Sequence, residues 1–479
     1  SAVIPSPSPS SSIDRRRSSA SLSASPGTRI QRMHRAAMAR SGTVATAAFC
    51  LLIMALAGRL AAPWVAAGHE NQKGNRFRAI VVLKLEASLM LINLFIWHQM
   101  MQFFDGERGV KRYAERTAKT RAAQVLLVIM ACNHLMYAFY YVQGWIPALL
   151  WEFVNFFAGV WTNLFGFCCG FFLVNCTVWL MEQWQPSRRL VHFLARPEFI
   201  RRLIFERQAQ IKLSVCIVAA LSLIMYYGSD KLVVRHVTFP VPYLSSTAGM
   251  PLRFAVVSDI HAGASVYESQ VAKMVDEVLQ QKVDALLVVG DMVDGEVTDV
   301  VKRIAPLFAV PNFMPVFMVT GNHDYYYGDV REWVRLYQAK GITVLRNNHS
   351  MFKGICLAGV NDISSGKMGI PDHDMNATEA LAGCPRNASK LLLAHNPASI
   401  KEFSRDVLRQ VDVVLSGHTH AGQFYVVVPV VYWLLPYFYG PYDIGTHGHL
   451  FVTAGTFYQG PPMKMVGASQ IWIVTLEPA

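Results

Sequence analysis

The sequence predicts an all-α membrane domain of five helices followed by one α/β domain, and three observations predict it. Of 479 residues, 53% are hydrophobic and only 16% charged, against roughly 25% charged in a soluble globular chain. Five apolar stretches fill the first half, each near the ~20 residues that an α-helix needs to cross about 30 Å of hydrocarbon. From Leu252 on, short β-rich runs alternate with helical ones. Charge divides at the same place: residues 1–249 carry 27 basic and 11 acidic side chains (+16), and residues 250–479 carry 17 and 21 (−4). A basic excess confined to the apolar half fits charges flanking membrane spans, not the basic face of a nucleic-acid binder. The lipid bilayer is therefore the expected partner and nucleic acid is excluded; no protein partner can be deduced.

Residues 1–40 are rich in Ser, Pro and Arg with one acid, Asp14, and bury too little apolar surface to offset the entropy of ordering. They read as a disordered basic tail; the alternative is a transit peptide. The membrane domain, 41–228, holds spans near 41–62, 80–104, 122–145, 149–181 and 211–228, the fourth long enough to tilt or to begin along the interface. Trp64, Trp97, Trp145, Trp151 and Trp184 cluster near span ends, as a headgroup-level belt requires. Basic loops resist translocation, and the tail has seven Arg, the second connection six basic residues and the fourth seven, whereas the third has none. This places the N-terminus in the cytoplasm and the C-terminal half on the exoplasmic or lumenal side. Sequons at Asn348, Asn376 and Asn387 are compatible with that orientation. Lys84 and Glu86, ionisable and near a span end, are expected to snorkel. Cys50, Cys132, Cys168, Cys169, Cys176 and Cys216 lie in apolar stretches as small buried side chains. Whether Cys356 and Cys384 pair depends on the side of the membrane they face. Residues 229–251 read as a linker.

In the second half, 252–258, 284–289, 315–320, 355–360, 391–394, 411–416, 450–454 and 471–476 read as strands, and 271–281, 300–307 and 330–339 as helices. Such alternation over 252–479 makes one α/β domain. Polar residues of metal-binding type follow successive strand ends, where open α/β sheets place their sites: Asp259-Ile260-His261, Gly290-Asp291-Met292-Val293-Asp294, Gly321-Asn322-His323-Asp324, His395, and Gly417-His418-Thr419-His420. Each motif alone reads as a cap or turn; the ordered set of five is specific. Two cations about 3.5 to 4 Å apart need a bridging anion and oxygen and imidazole ligands around both. An aspartate can bridge, histidines two apart can address neighbouring ions, and the glycines before Asp291, Asn322 and His418 suit sharp turns.

In this pattern the domain resembles the calcineurin-like metallophosphoesterases, whose D-x-H, G-D-x-x-D, G-N-H-D/E, H and G-H-x-H series it matches in order. The resemblance implies a four-layer α/β/β/α sandwich and two divalent or trivalent metal ions, with mixed N/O shells that suit Mn, Fe or Zn. It implies that Asp259, His261, Asp291 and His420 hold one ion and Asp291, Asn322, His395 and His418 the other. The reaction implied is hydrolysis of a phosphate ester by a hydroxide held between the metals, with His323 protonating the leaving oxygen and oriented by Asp324 or Asp294; the alternative for His323 is merely to steady Asn322. Lys464 is a candidate phosphate contact, the alternative being a solvated lysine. The protein-phosphatase branch of the superfamily follows its G-D-x-V-D with Arg-Gly; here Gly295-Glu296 follows, so the phosphate-gripping arginine is absent. His447 and His449 repeat the two-apart spacing but have no shell left to fill. Residues 424–442 are unusually apolar for a connection after metal ligands, and read either as core or as a surface that dips into the bilayer and admits a phospholipid-like substrate. The expected function is thus a membrane-anchored phosphoesterase acting on mono- or diesters; the rival is a catalytically silent metal-binding interaction module on a membrane anchor.

Overall fold

The computed structural model describes residues 72–102, 113–140, 146–244 and 251–479. The tail and the first expected span, 41–62, lie outside them. Four helices among the described residues are long and apolar enough to cross a membrane: α1 (Gln72–Met101), α2 (Tyr113–Phe139), α3 (Ala148–Glu182) and, after two short helices, α6 (Arg207–Ser229). They correspond to the second to fifth spans read from the sequence. The basic connection between the last two is not a plain loop but the helices α4 (Gln185–Leu194) and α5 (Glu198–Phe205). Their mixture of exposed Phe193, Phe199 and Phe205 with Arg188, Arg201 and Arg202 suits a helix lying in the headgroup plane.

Two expectations in this half are corrected. Glu86 does not snorkel: it is buried, its carboxylate 2.5 Å from His134 Nδ1. The chain continues as the Asn93 amide donates to His134 Nε2 (2.9 Å) and Trp161 Nε1 donates to Asn93 Oδ1 (2.6 Å), tying α1, α2 and α3 together. In hydrocarbon such groups have no water to turn to, so they pair with one another. Trp151 is no belt residue either. It is 1% exposed and packs edge-on against Phe139 and Tyr140.

The α/β domain has two six-stranded sheets. The first runs β1 (Val233–Val241), β12 (Gln470–Pro478), β2 (Leu252–Val257), β3 (Ala285–Val289), β4 (Val316–Val319), β5 (Thr343–Val344); the second runs β10 (Gly440–Ile444), β11 (Gly448–Val452), β9 (Val413–Ser416), β8 (Lys390–Leu393), β7 (Ile355–Gly359), β6 (Asn348–Phe352). β2 to β5 are parallel, as are β7, β8, β9 and β11. Because side chains alternate along a strand, β3 sends Ala285, Leu287 and Val289 into the core between the sheets, where they share a cluster with Leu391, Leu393, Val413 and Leu415. Leu286 and Val288 face the other way, against α7 (Glu268–Gln280), α8 (Val297–Ile304) and α10 (Val330–Ala339), which follows the one-turn helix α9 (His323–Tyr326). On the far side of the second sheet, α11 (Ala377–Leu381) and α12 (Arg405–Gln410) cover Ala358, Leu392 and Val414. The layers are therefore α/β/β/α.

Residues 229–251, expected as a linker, contain β1, which pairs in parallel with β12 from Val233 to Val241. Only three residues separate the end of α6 from that strand, so the last span runs directly into the sheet. Ser469 Oγ donates to the Ser229 carbonyl and Val233 N to the Ser469 carbonyl, fixing the junction.

Candidate metal centre and active site

Parallel strands in both sheets end at one edge, and the loops that follow β2, β3, β4, β8 and β9 supply the ligand candidates. Asp259, His261 and His420 form one buried group and Asp291, His395 and His418 another, the atoms of each lying within 4.8 Å of one another. Asp291 Oδ2 stands between them, 3.7 Å from His261 Nε2 and 3.1 Å from His395 Nε2. The loop conformations are costly: Asp259 (φ 53°), His261 (49°), Asp291 (51°), His418 (72°) and His420 (50°) are all left-handed, a region that side chains other than glycine enter at about 1–3 kcal/mol each and that clusters at functional sites. Gly290 (φ 78°) serves both the turn and close approach, and Gly321 and Gly417 serve close approach. A Cβ at Gly290 would come within 2.5 Å of the His395 ring, one at Gly321 would overlap Asp291 Oδ1, and one at Gly417 would overlap Asp259 Oδ2.

The donor set fits metal ions. Asp259 Oδ2 and Asn322 Oδ1 are buried acceptors with no hydrogen-bond partner, which costs about 1–3 kcal/mol apiece unless a cation or donor meets them. His261 Nε2 and His420 Nε2 face each other at 3.0 Å, close to the spacing of adjacent ligands on an ion with bonds of about 2.0–2.1 Å. Asp294 Oδ1 accepts from His261 Nδ1 (3.0 Å) and from His323 Nδ1 (2.7 Å). One carboxylate oxygen thus fixes both tautomers and turns both Nε2 atoms toward the site.

The electrostatics follow from this crowding. Burial alone would raise the Asp291 carboxyl, but the His395, His323 and His261 imidazoles hold it well below its ordinary value. Burial likewise opposes ionisation of Asp294, and His261 and His323 outweigh it, so Asp294 stays a carboxylate. At His323 burial disfavours the imidazolium, yet the Asp294 and Asp291 charges and the hydrogen bond from Nδ1 raise its pKa to about 9.

The structure separates the roles considered for the remaining candidates. Asp324 does not touch His323; its carboxylate accepts from the backbone N–H groups of Met292, Val293 and Gly321, clamping the Asp291 loop to the Asn322 loop. Burial and the nearby Asp291 charge raise its pKa to about 7. Lys464 is neither solvated nor turned outward as a phosphate contact requires: it is fully buried, and its ammonium donates to the carbonyls of Gly455 and Phe457. His447 and His449 pair with Asp412 and Asp443 outside the centre. Gln459, which no motif marks, lies with its amide nitrogen 2.9 Å from His323 Nε2. The rings of Tyr326 and Tyr327 lie 5.4 Å from the His323 ring, and Tyr327 stacks at 4.9 Å on Tyr140, which follows α2.

Comparison with known proteins agrees with the fold. The calcineurin-like phosphoesterase profile matches residues 252–422. A transmembrane protein with metallophosphoesterase domain from Danio rerio is 30% identical over 422 residues, covering 85% of this chain and 92% of that protein. The Bos taurus protein of the same name is 32% identical over 238 residues (48% and 53%), and an uncharacterized metallophosphoesterase of Helicobacter pylori 32% over 231 residues (47% and 60%). With its four-layer sandwich, its ordered ligand loops and a relative matched along nearly its whole length, the chain belongs to the calcineurin-like phosphoesterase family.

Proposed function

We propose that this protein is a membrane-anchored, dinuclear-metal phosphoesterase that hydrolyses phosphate mono- or diesters of lipid-like character. The observation that carries the reading is the convergence of Asp259, His261, Asp291, Asn322, His395, His418 and His420 beside a His323–Asp294 pair at 2.7 Å. Asp259, His261, Asp291 and His420 would hold one ion, and Asp291, Asn322, His395 and His418 the other. When bound, two such ions supply a hydroxide near neutral pH and neutralise phosphate charge. The chain's own part is to hold a proton at His323 and release it to the departing ester oxygen, with Asp294 keeping the ring oriented. Asp324 acts at one remove by setting the two ligand loops. A silent binding module is disfavoured because His323, which groups with His261 and Asp291 but is not used in the proposed ligand assignment, is held in a charge-assisted pair with Asp294.

The proposed orientation is lumenal or exoplasmic for the catalytic domain. It is supported by the basic connections and by the Cys356–Cys384 disulfide, Cα–Cα 5.8 Å, since such bonds persist in oxidising compartments. Full-length protein in nanodiscs, loaded with Mn, Fe or Zn and offered mono- and bis-p-nitrophenyl phosphate, tests the activity. Wild type should turn over an ester, Asp291→Ala should lose metal and turnover together, and His323→Ala should keep metal while losing turnover of an alkyl phosphate offered in parallel far more than of the p-nitrophenyl esters. Wild type that retains two metals per chain and hydrolyses neither ester would favour the silent module instead.

A further inference from the structure

We propose that the segment beginning at Phe424 and carrying helix α13 (Val428–Leu434) is inserted in the acyl region of the leaflet facing the catalytic domain, and that it loads a membrane-resident ester into the metal centre. The insertion stands on geometry alone; the loading step rests on the phosphoesterase reading. Residues 424–442 contain no Asp, Glu, Lys, Arg or His. α13 has no buried residue, and Trp433 and Leu434 at its end are 85% and 75% exposed. In water this would be an exposed apolar surface of the kind that marks an interaction site.

Its depth identifies the occupant. The 23 residues of α6 span about 34 Å at 1.5 Å per residue, just over the ~30 Å of hydrocarbon. Ser229 therefore marks the interface on the catalytic side. Phe424, Val426 and Val427 pack against Met225 and Leu221 of α6, which lie four and eight residues before Ser229, or about 6 and 12 Å below that interface. Val426 also fills the space beside Gly166, where any Cβ would overlap it; Gly166 lies eighteen residues into α3. The segment is continuous with the lipid-facing surface of two spans, so the partner it fits is hydrocarbon.

Both ends of the excursion return to the ligand turn. Phe424 N donates to the Gly422 carbonyl, two residues past His420, and Thr419 Oγ1, between His418 and His420, donates to the Phe438 carbonyl. A segment anchored in lipid and tied at both ends to two metal-ligand histidines sets the centre at headgroup depth.

The test uses full-length protein in dioleoylphosphatidylcholine vesicles with Trp433 replaced by the photoreactive p-benzoylphenylalanine. Irradiation should give adducts on lipid acyl chains; adducts to a second copy of the chain, or none to lipid, would overturn the insertion. In parallel, Trp433→Glu/Leu434→Glu should lose about tenfold or more toward dioleoyl phosphatidic acid or phosphatidylcholine in vesicles while keeping p-nitrophenyl phosphate turnover within about twofold. Equal loss toward both substrate types, or loss toward neither, would overturn the loading. Acyl-chain adducts from the Trp433-substituted protein, with no hydrolysis of any ester, lipid or soluble, by wild type, would overturn the hydrolase reading and the loading with it, and leave the insertion standing.

Discussion

Replacing Asp294 by Asn keeps the shape of a side chain that is 1% exposed and removes its charge. One oxygen of Asp294 accepts from His261 Nδ1 at 3.0 Å and His323 Nδ1 at 2.7 Å. Hydrogen bonds to a charged group are worth about 1.5–3 kcal/mol and neutral ones about half of that, so each of the two should weaken by about 1–1.5 kcal/mol. The His261 share appears in metal affinity and corresponds to about tenfold, at the low end of what is lost when the partner of a metal-ligating histidine is changed. The His323 share appears in turnover at saturating metal. It should be about tenfold for an alkyl phosphate, whose leaving oxygen needs a proton, and smaller for p-nitrophenyl phosphate, whose leaving group needs none. Metal titration followed by calorimetry, then kcat at saturating metal on both esters, resolves the two shares. Equal kcat losses on the two esters would refute the proton-donor role, and unchanged metal affinity would refute the His261 part.

Gly290→Ala should cost about 2–4 kcal/mol, from a left-handed residue at φ 78° and a Cβ 2.5 Å from the His395 ring. Gly440→Ala, at φ 88° with nothing near its Cβ, isolates the backbone part at about 1 kcal/mol, and thermal melts with and without metal compare the two. Removing the Cys356–Cys384 bridge with a double Ala substitution opens a crosslink of sequence separation 28, worth about 3.5 kcal/mol in the chain-entropy treatment. Thermal stability should fall by the same amount when wild type is reduced, and no fall under either treatment would mean that the bridge does not form. Asn93→Ala leaves Trp161 Nε1 and His134 Nε2 without partners among the spans and should cost about 1–2 kcal/mol in nanodisc melts, more than an exposed Leu91→Ala.

The candidate ligand residues were legible because metal chemistry admits few side chains and because parallel strands deliver them at predictable places. Runs such as Leu286 to Val289 announce a buried strand, and although one Asp or His just beyond a strand reads as a cap or turn, five such motifs in order do not. Backbone strain at the same positions was not legible, since Asp and His do not advertise a left-handed φ as glycine does. The same limit hid the purpose of Gly321 and Gly417, whose neighbours Asp291 and Asp259 come from distant loops. Gln459 could not be found because His323 is 136 residues away and no spacing rule joins them. Edge strands fared worst: β5 has two residues, β6 carries Asn348, His349 and Ser350, and β1 follows a membrane span closely enough to read as its linker. Burial of Glu86 is not legible in its own span, because it depends on a partner, His134, supplied by another helix.

The three-residue connection between α6 and β1 changes what the membrane domain does for the site. A tethered catalytic domain samples many orientations over the bilayer, and its encounter with a membrane-borne ester depends on that sampling. Here α6 passes into β1 within three residues, and β1 lies nine residues deep in parallel register with β12. A second attachment comes from α2, whose following residue Tyr140 stacks on Tyr327 beside His323, and a third from Met463 packed over Gly159 of α3. Three attachments that are not collinear fix both the height and the tilt of a rigid body. The four-layer core is closely packed and does not deform continuously, so the orientation set at the helix ends is inherited by the ligand loops. That inheritance explains why Tyr140, just after α2, stands on Tyr327 beside His323: on the proposed reading, a membrane-borne ester would meet the ligand loops at a height and tilt that the membrane domain has already set.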